Sequence, residues 1–276
     1  MAIGQKGQNA EMKRNISFLL EYDGSRYDGW QRQAGNDNTI QGKLERVLEK
    51  MTGTFQEVDG SGRTDAGVHA KGQVANVHLD TEMTKEEVCT YLNQYLPEDI
   101  RVLQTAIVPD RFHSRLWARE KTYGYWIDMA QKSPVFQRKY IYTLGERLDV
   151  EAMRQAAKAL CGTHDFGSFC TGKSKKKSTV RTLRSVEIIP HGTLLEVRVT
   201  GDGFLHNMVR ILTGTLVEVG QGKREADSMG QLLKESDRRK AGFTAPARGL
   251  FLMEVVYDKK VFDQGTDGIV WGPAEL

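Results

Sequence analysis

Strand-like and helix-like segments follow one another in an irregular order along this chain, and that order restricts its fold class most. Short apolar runs indicate strands at residues 15–22, 73–79, 101–108, 121–129 and 250–257, and a hairpin over 180–201 with its turn at 190–193. Helical periodicity marks residues 40–51, 85–96, 150–160, 204–220 and 229–235. Strands and helices do not alternate strictly along the chain, as they would in a doubly wound sheet. The order therefore predicts an α+β fold with two similar halves, each a largely antiparallel sheet with helices on one face.

The length of 276 residues accommodates two domains of ordinary size. We expect the boundary near residues 109–119, with an N-terminal half at 14–112 and a C-terminal half at 113–258. Residues 1–13 and 259–276 are expected to be tails, the first of them disordered. Thr39 is a candidate N-cap, and Thr84 with Glu87 predicts a capping box at the start of the second helix.

Charge and cysteine content restrict the partners and the compartment. The 39 basic residues exceed the 36 acidic ones by only three, so a nucleic-acid site must come from local clustering. Three cysteines are too few for a disulfide framework and favour a reducing, cytoplasmic setting. No run approaches the roughly 20 apolar residues of a membrane span, and the N-terminus lacks the apolar stretch of a secretory signal.

The stretch GSGRTDAGVHA at residues 60–70 is the most distinctive local feature. Its glycines predict a tight loop around Asp65. A phosphate-binding loop is excluded because Val68 and His69 stand where lysine and serine or threonine are required. A metal site formed by Cys161, His164 and Cys170 is weakly supported, since no second pair supplies a fourth ligand. From residue types alone, the loop is either a turn or an active site.

Seven blocks that include this loop resemble the TruA family of tRNA pseudouridine synthases. They are YDGSRYDGWQRQ at 22–33 followed by TIQGKLERVL at 39–48, GRTDAGVHA at 62–70 with GQV at 72–74, FHSR at 112–115, KTYGY at 121–125, DFGSF at 165–169, FLHNMVRILTGTLVEVG at 204–220 and APARGLFL at 245–252. The resemblance extends in order and spacing over residues 15–257. It implies RRM- or ferredoxin-like halves with the active-site cleft between them.

The resemblance also implies a function and a set of site residues. The expected reaction is isomerisation of uridine to pseudouridine in the anticodon stem-loop of tRNA, at nucleotides 38, 39 and 40, by a cytoplasmic homodimer. Asp65 corresponds to the catalytic aspartate and Arg210 to its cationic partner. Tyr123 corresponds to the tyrosine that stacks on the flipped uracil, Arg63 to the arginine that enters the RNA, and Leu250 to the leucine under the base. For Tyr125 a structural role in the strand is the preferred interpretation.

The expected chemistry breaks the N1–C1′ bond of uridine and rejoins the base through C5. No redox change occurs and no group leaves, so no cofactor or metal is expected. Asp65 attacks C1′ or C6, or assists deprotonation at C2′, and each role needs an ionised carboxylate. Arg210 lies in an apolar helical segment, where an arginine is unfavourable unless it is paired. We therefore expect the two side chains to touch.

Basic residues must hold the RNA while the target base leaves its stack. The candidates are Arg26, Arg32, Arg115, Lys175, Lys176 and Lys177. Two other functions stay open. An RNA-binding module without catalysis is suggested by residues 248–255, which partly match an RNA-recognition strand. A glycosidase would need a second carboxylate beside Asp65, for which Asp23 is the nearest candidate.

Overall fold

The computed structural model describes residues 13–172 and 178–262, and the strands in this part of the chain form one ten-stranded sheet. They are β1 (Lys13–Tyr22), β2 (Asp59–Gly60), β3 (His69–Asp80), β4 (Ile100–Val108), β5 (Ala118–Asp128), β6 (Tyr142–Thr143), β7 (Gly162–Asp165), β8 (Val180–His191), β9 (Leu194–Gly201) and β10 (Leu250–Tyr257). Every strand predicted from periodicity is present. The three that were missed have two to four residues, too few for a repeat.

The strand order is β4-β1-β3-β10-β5-β9-β8-β7, with β2 beside β3 and β6 beside β5. Neighbours are antiparallel except for two parallel pairs, β10 with β3 and β5 with β6. The predicted α+β class with a largely antiparallel sheet is confirmed. The strands of residues 14–112 meet those of 113–258 where Phe251 pairs with His69 and Leu252 with Ala70. The two expected sheets are thus joined edge to edge, while the division at 112/113 and the RRM-like halves stay predictions.

Five helices are α1 (Ile40–Thr52), α2 (Lys85–Tyr95), α3 (Val150–Lys158), α4 (Met208–Gly220) and α5 (Ser228–Glu235). The Thr39 hydroxyl caps α1 by accepting from the Gly42 amide at 3.2 Å. The capping box of α2 is also present, because the Glu87 amide donates to the Thr84 hydroxyl and the Thr84 amide to the Glu87 carboxylate. No helix within residues 13–172 and 178–262 is long and apolar enough to cross a membrane.

Helix α4 begins at Met208, four residues later than the periodicity predicted. Asn207 before it has a left-handed backbone with φ 61°, which asparagine tolerates better than most residues but which a helix cannot continue through. The apolar residues Phe204 and Leu205 imitated a helical start, although they lie in irregular chain before the turn that precedes α4. The hairpin turn is also tighter than predicted, since β8 ends at His191 and β9 begins at Leu194.

Helix α4 is almost completely buried. Among its 13 residues only Arg210 and Glu218 are not buried. Gly214 lets the segment after α5 pass directly over the helix, since a Cβ there would lie 1.9 Å from the Phe243 carbonyl oxygen. The same segment places Ala245 beside Arg210, whose backbone carbonyl accepts from the Ala245 amide at 3.1 Å. The backbone of Arg210, a polar residue in the buried helix, is thereby held against the segment at Ala245.

Candidate active site

The loop of residues 61–68 connects β2 to β3 and is attached to the segment that follows β1. The Trp30 amide donates to the Thr64 carbonyl at 3.0 Å, and the Gly67 amide donates to the Tyr27 carbonyl at 3.2 Å. Asp65 lies between these two attachment points. The Asp65 backbone is therefore held on both sides, which fixes the point from which its side chain extends.

Gly24 brings the same segment against the end of this loop. A Cβ at Gly24 would lie 1.9 Å from the Val68 carbonyl oxygen, far inside van der Waals contact. The Gly24 amide also donates to Nδ1 of the buried His69 at 3.1 Å. Any side chain at position 24 must push Val68 away, and Val68 ends the loop that carries Asp65.

We expect Gly24→Ala to lower the free energy of unfolding by about 1–3 kcal/mol, the usual range for overpacking a closed site. Thermal or urea unfolding measures the effect. The matched control is Gly230→Ala in α5, where no atom lies within 4 Å of the added Cβ and alanine favours the helix. Equal stability of Gly24→Ala and the native chain would show that the backbone contact is not tight.

Asp65 lies between two side chains from the start of α4. Its Oδ2 is 3.4 Å from Nη1 of Arg210, and its Oδ1 is 3.4 Å from Nε2 of His206. The Asp65 and Arg210 side chains are 25% and 17% exposed, so the pair is partly shielded from water. The predicted contact between Asp65 and Arg210 is present, although 145 positions separate them in sequence.

Arg210 is oriented by two further acceptors. Its Nε donates to the Ala245 carbonyl at 2.7 Å, and its Nη1 donates to Oδ1 of Asn207 at 2.7 Å. A guanidinium held by several acceptors cannot turn away from its carboxylate partner. These contacts offset the unfavourable burial of the cation and direct its charge at Asp65.

A closed circle of polar contacts completes the surroundings of Asp65. Nδ2 of Asn207 donates to the Thr171 hydroxyl at 2.8 Å, and that hydroxyl is 2.9 Å from Nδ1 of His206. The circle thus leads from Asp65 through Arg210, then through these three residues and back. The sequence analysis singled out none of the three. The sequence did contain one signal, the asparagine directly before an apolar helical segment. An asparagine can adopt a left-handed backbone, and such a residue interrupts the helical repeat.

Tyr123 lies near this carboxylate, and Leu250 lies on the strand next to that of Tyr123. The Tyr123 ring contacts Phe204 edge-on at 4.9 Å, and the residue is 7% exposed. Burial, together with the nearby Tyr22 and Asp65, raises the pKa of Tyr123 well above its usual value, so the phenol stays protonated. Leu250, 5% exposed, begins the adjacent strand β10.

Tyr125 lies two residues further along β5 and differs from Tyr123. It is completely buried, and its hydroxyl donates to the Pro246 carbonyl at 2.7 Å. A satisfied hydroxyl without solvent access fits a core residue. The structural interpretation of Tyr125 is therefore the one that the contacts support.

Lys121 contacts the beginning of the loop that carries Asp65. The sequence analysis gave it no role of its own, since it appeared there only within the motif KTYGY. Its Nζ donates to the Ser61 carbonyl at 2.6 Å. Burial lowers the pKa of this ammonium to about 8, and the neighbouring charge of Arg115 adds to the shift. Lys121 precedes Tyr123 by two residues on β5, so both lie on the same face of the sheet.

Arg63 and Arg115 have exposed side chains without competing ion pairs. Neither makes an ion pair with another residue in the part of the chain that the structure describes. Arg63 lies on the loop itself, two positions before Asp65. Three further residues that were predicted to contact RNA, Lys175, Lys176 and Lys177, lie outside the described residues.

Arg26 and Arg32 are already paired within the chain. Arg26 donates from Nε and Nη2 to one carboxylate oxygen of Asp99, at 3.0 and 2.5 Å. Nε of Arg32 is 2.8 Å from a carboxylate oxygen of Glu45, and its guanidinium lies over the Phe55 ring at 4.8 Å. A phosphate would have to compete with these carboxylates, or share the arginines with them.

Asp23, the second carboxylate considered from sequence, belongs to a different cluster. Its carboxylate accepts from the Tyr140 hydroxyl at 3.0 Å and the Ser25 amide at 2.9 Å, and it is 3.1 Å from Nδ1 of His69. Burial alone would raise the Asp23 pKa, but the contact with the His69 ring and the hydrogen bonds of Ser25 outweigh it and hold the pKa below its usual value. Such a carboxylate is unsuited to act as a general acid, which a glycosidase requires of one member of its pair.

Metal ligands are not assembled within residues 13–172 and 178–262, where no group of three or more His, Cys, Asp and Glu side chains could hold an ion. Among the residues considered from sequence, Nε2 of His164 bonds to the Cys161 carbonyl at 2.9 Å, and the Cys170 thiol donates to the Gly167 carbonyl at 3.6 Å. Their polar atoms thus have partners in the backbone rather than in one another.

Comparison with known proteins gives consistent matches over most of the chain. The family model described as tRNA pseudouridine synthase matches residues 19–115 and 156–258. A tRNA pseudouridine synthase A of Bacillus sp. (strain KSM-64) is 49% identical over 238 residues, which cover 86% of this chain and 97% of the relative. A tRNA pseudouridine synthase A 2 of Bacillus anthracis is 45% identical over 243 residues, covering 88% of this chain and 99% of the relative. A solved Cbf5-Nop10-Gar1 complex aligns at 11% identity and a TM-score of 0.33, covering 74% of this chain and 45% of that chain, less than half of its length.

Proposed function

The chain belongs to the tRNA pseudouridine synthase family, and on that premise we propose that it isomerises uridine in tRNA with Asp65 as the catalytic residue. The observation that carries the proposal is the position of Asp65. Its carboxylate lies 3.4 Å from the guanidinium of Arg210, on an anchored loop next to the buried ring of Tyr123. A carboxylate with a cation on one side and apolar surface nearby suits chemistry on a sugar and a base.

The reaction breaks the N1–C1′ bond and forms a C5–C1′ bond, while N1 gains a proton and C5 loses one. Atoms and electrons balance within the nucleotide, so the enzyme is an isomerase and no cofactor is part of the proposal. Three roles suit the Asp65 carboxylate: attack on C1′, attack on C6, and removal of the C2′ proton. All three use the ionised form, whose charge Arg210 compensates as solvent leaves the site.

Tyr123 and Leu250 are proposed to contact the flipped uracil. A buried phenol with a raised pKa offers a flat apolar surface for stacking and a hydroxyl proton that it does not lose. That hydroxyl is suited to hydrogen-bond the base while the base turns. Leu250, at the start of β10, is proposed to pack under the same ring.

Arg63 is proposed to enter the RNA and hold the site of the flipped nucleotide open. Its support is an exposed guanidinium on the loop of Asp65, without a carboxylate partner among the described residues. Arg115 is proposed as a phosphate contact for the same reason. Arg26 and Arg32 are weaker proposals, since Asp99 and Glu45 already neutralise them.

Lys175, Lys176 and Lys177 are proposed to hold phosphates, and salt dependence tests them. Each phosphate contact releases counterions, so we expect the triple alanine variant to flatten the plot of log K against log salt by roughly two units. The choice of uridine and the single-turnover rate on saturated enzyme should stay unchanged, because such contacts position without selecting. A triple variant at the exposed Lys139, Lys158 and Lys223 controls for charge. A native slope in the first variant would exclude the contact.

The finer assignments rest on the family and are proposals. We propose that the substrate is the anticodon stem-loop at nucleotides 38, 39 and 40, and that the enzyme works as a homodimer. A tRNA substrate and a content of only three cysteines support a cytoplasmic location. The halves 14–112 and 113–258 are proposed as domains, since Asp65 belongs to the first and its partner Arg210 to the second.

Incubating the protein with unmodified tRNA transcripts in excess EDTA tests the function. The tRNA is first folded in magnesium. Its binding to the protein is then checked after chelation, which shows that the tRNA has kept its tertiary structure. Nucleoside chromatography should then detect pseudouridine, and sequencing of the modified transcript should locate it. Free uracil would indicate a glycosidase, and binding without a change in the nucleosides would indicate an RNA-binding module.

A further inference from the structure

Of the three side chains in the circle of polar contacts to which the resemblance assigned no role, His206 is the one that touches Asp65. The His206 side chain is 62% exposed, whereas those of Asp65 and Arg210 are 25% and 17% exposed. It therefore lies at the open side, where RNA would approach. Its ring contacts Asp65 through Nε2 and Thr171 through Nδ1.

The direction of the hydrogen bonds in the circle determines the tautomer of neutral His206. Nδ2 of Asn207 can only donate, so the Thr171 hydroxyl accepts from it. The hydroxyl proton is then free to be donated to Nδ1 of His206 at 2.9 Å. With Nδ1 as acceptor, the ring proton of neutral imidazole is on Nε2, the nitrogen that lies 3.4 Å from Oδ1 of Asp65. The opposite tautomer would direct a lone pair at a carboxylate, which is unfavourable.

The backbone of this corner makes the arrangement rigid. Asn207 adopts its left-handed conformation directly before α4, so His206 lies outside the helix. The amide of Thr171 also donates to the His206 carbonyl at 3.2 Å. Position 206 is therefore held through its main chain whichever side chain it carries, so substitutions there can test the imidazole separately from the fold.

Resting on the proposed function, we propose that His206 is a positioning residue for Asp65. Arg210 restrains Oδ2 and His206 restrains Oδ1, so the carboxylate cannot rotate about its Cβ–Cγ bond. The directions in which its remaining lone pairs can point are thereby restricted. The separations of 3.4 Å are long for hydrogen bonds, but contacts of this kind tighten when substrate enters. Orientation of a reacting group contributes strongly to rate, and loss of one restraint is expected to slow the chemistry and leave tRNA binding intact.

Three substitutions at one position distinguish the hydrogen bond from the bulk of the ring. His206→Gln keeps an N–H donor at about the distance of Nε2, His206→Phe keeps a ring without a donor, and His206→Ala removes both. In single-turnover assays at saturating tRNA, we expect Phe and Ala to lower the rate by roughly 10- to 100-fold and Gln by less than about fivefold. The Kd for tRNA and the melting temperature should stay close to those of the native enzyme.

Thr171 gives an independent test at a distance from the reacting atoms. Thr171→Val removes the hydroxyl that fixes the tautomer, whereas Thr171→Ser retains it. We expect a rate loss of roughly three- to tenfold for valine and native activity for serine. In ¹⁵N-histidine spectra, the signals of His206 are identified as those that disappear in His206→Gln. They should show the Nε2–H tautomer in the native protein and a mixture of the two tautomers in Thr171→Val.

Several outcomes would overturn the positioning role. His206→Ala within twofold of the native rate would exclude it, and so would equal losses for the Gln and Phe variants. A change confined to Kd would make His206 an RNA contact instead. A native enzyme that forms no pseudouridine would refute the proposed function itself, whereas an active native enzyme with active His206 variants would refute only this inference.

Discussion

Asp65→Asn is expected to abolish pseudouridine formation, with a loss of at least about a thousandfold in the single-turnover rate. Removal of a nucleophile or its equivalent costs this much or more in enzymes where it has been measured. Asparagine matches the shape of the side chain and keeps an oxygen for one neighbour, but it has neither the charge nor the nucleophilicity. The loop backbone is held by Trp30 and Tyr27 rather than by the carboxylate, so the fold should persist.

The control is Asp80→Asn at the exposed end of β3, which removes the same charge away from the site. Pseudouridine formation, tRNA affinity and thermal stability should be measured for both variants. We expect Asp65→Asn to bind tRNA within a fewfold of the native enzyme. Substantial turnover by this variant in a single round would remove Asp65 from the mechanism.

Arg210→Met is expected to lower the rate by about 10²–10³-fold, the effect of removing one preorganised polar group that supports charge in an active site. Methionine preserves the length of the side chain and suits the apolar surroundings of α4. It leaves the Asp65 carboxylate without its cation, and it leaves the Ala245 carbonyl and the Asn207 amide oxygen without a donor. The loss should appear in the chemical step, measured on saturated enzyme, more than in Kd.

Arg210→Lys separates charge from geometry. A lysine keeps the positive charge but cannot replace the planar donors that contact three acceptors, so we expect an intermediate rate. Arg239→Met controls for the loss of an exposed arginine, since Arg239 is 89% exposed and pairs only locally with Asp237. Native activity in Arg210→Met would show that the ion pair is not used in the reaction.

The parts of the fold that the sequence predicted correctly depend on short-range physics. The Thr39 cap and the Thr84–Glu87 box follow from side chains that bond to amides three positions away. Strands β1, β4 and β10 follow from apolar runs of eight to ten residues. The contact between Asp65 and Arg210 was also predictable, because an arginine in an apolar helix requires an anion and family resemblance indicated which one.

What could not be predicted depends on contacts between distant segments. Nothing in the composition of β3 or β10 indicates that they pair in parallel over two residues. The start of α4 was misplaced because Phe204 and Leu205 continue the apolar period, although the left-handed Asn207 interrupts the helix. Thr171 and His206 were overlooked because their partnership needs two loops, 35 positions apart, to meet.

The central place of β10 in the sheet affects how the chain matures on the ribosome. β3 and β5 are separated by that strand, and it is the last one to be synthesised among those described. Until residues 250–257 emerge, β5 lacks its antiparallel partner from Ala118 to Tyr125, and such edges readily associate with other chains. A nascent chain that already contains Asp65, Tyr123 and Arg210 therefore still lacks the strand that brings its two sides together. The interval before β10 is made is therefore the one in which this open edge most exposes the chain to aggregation.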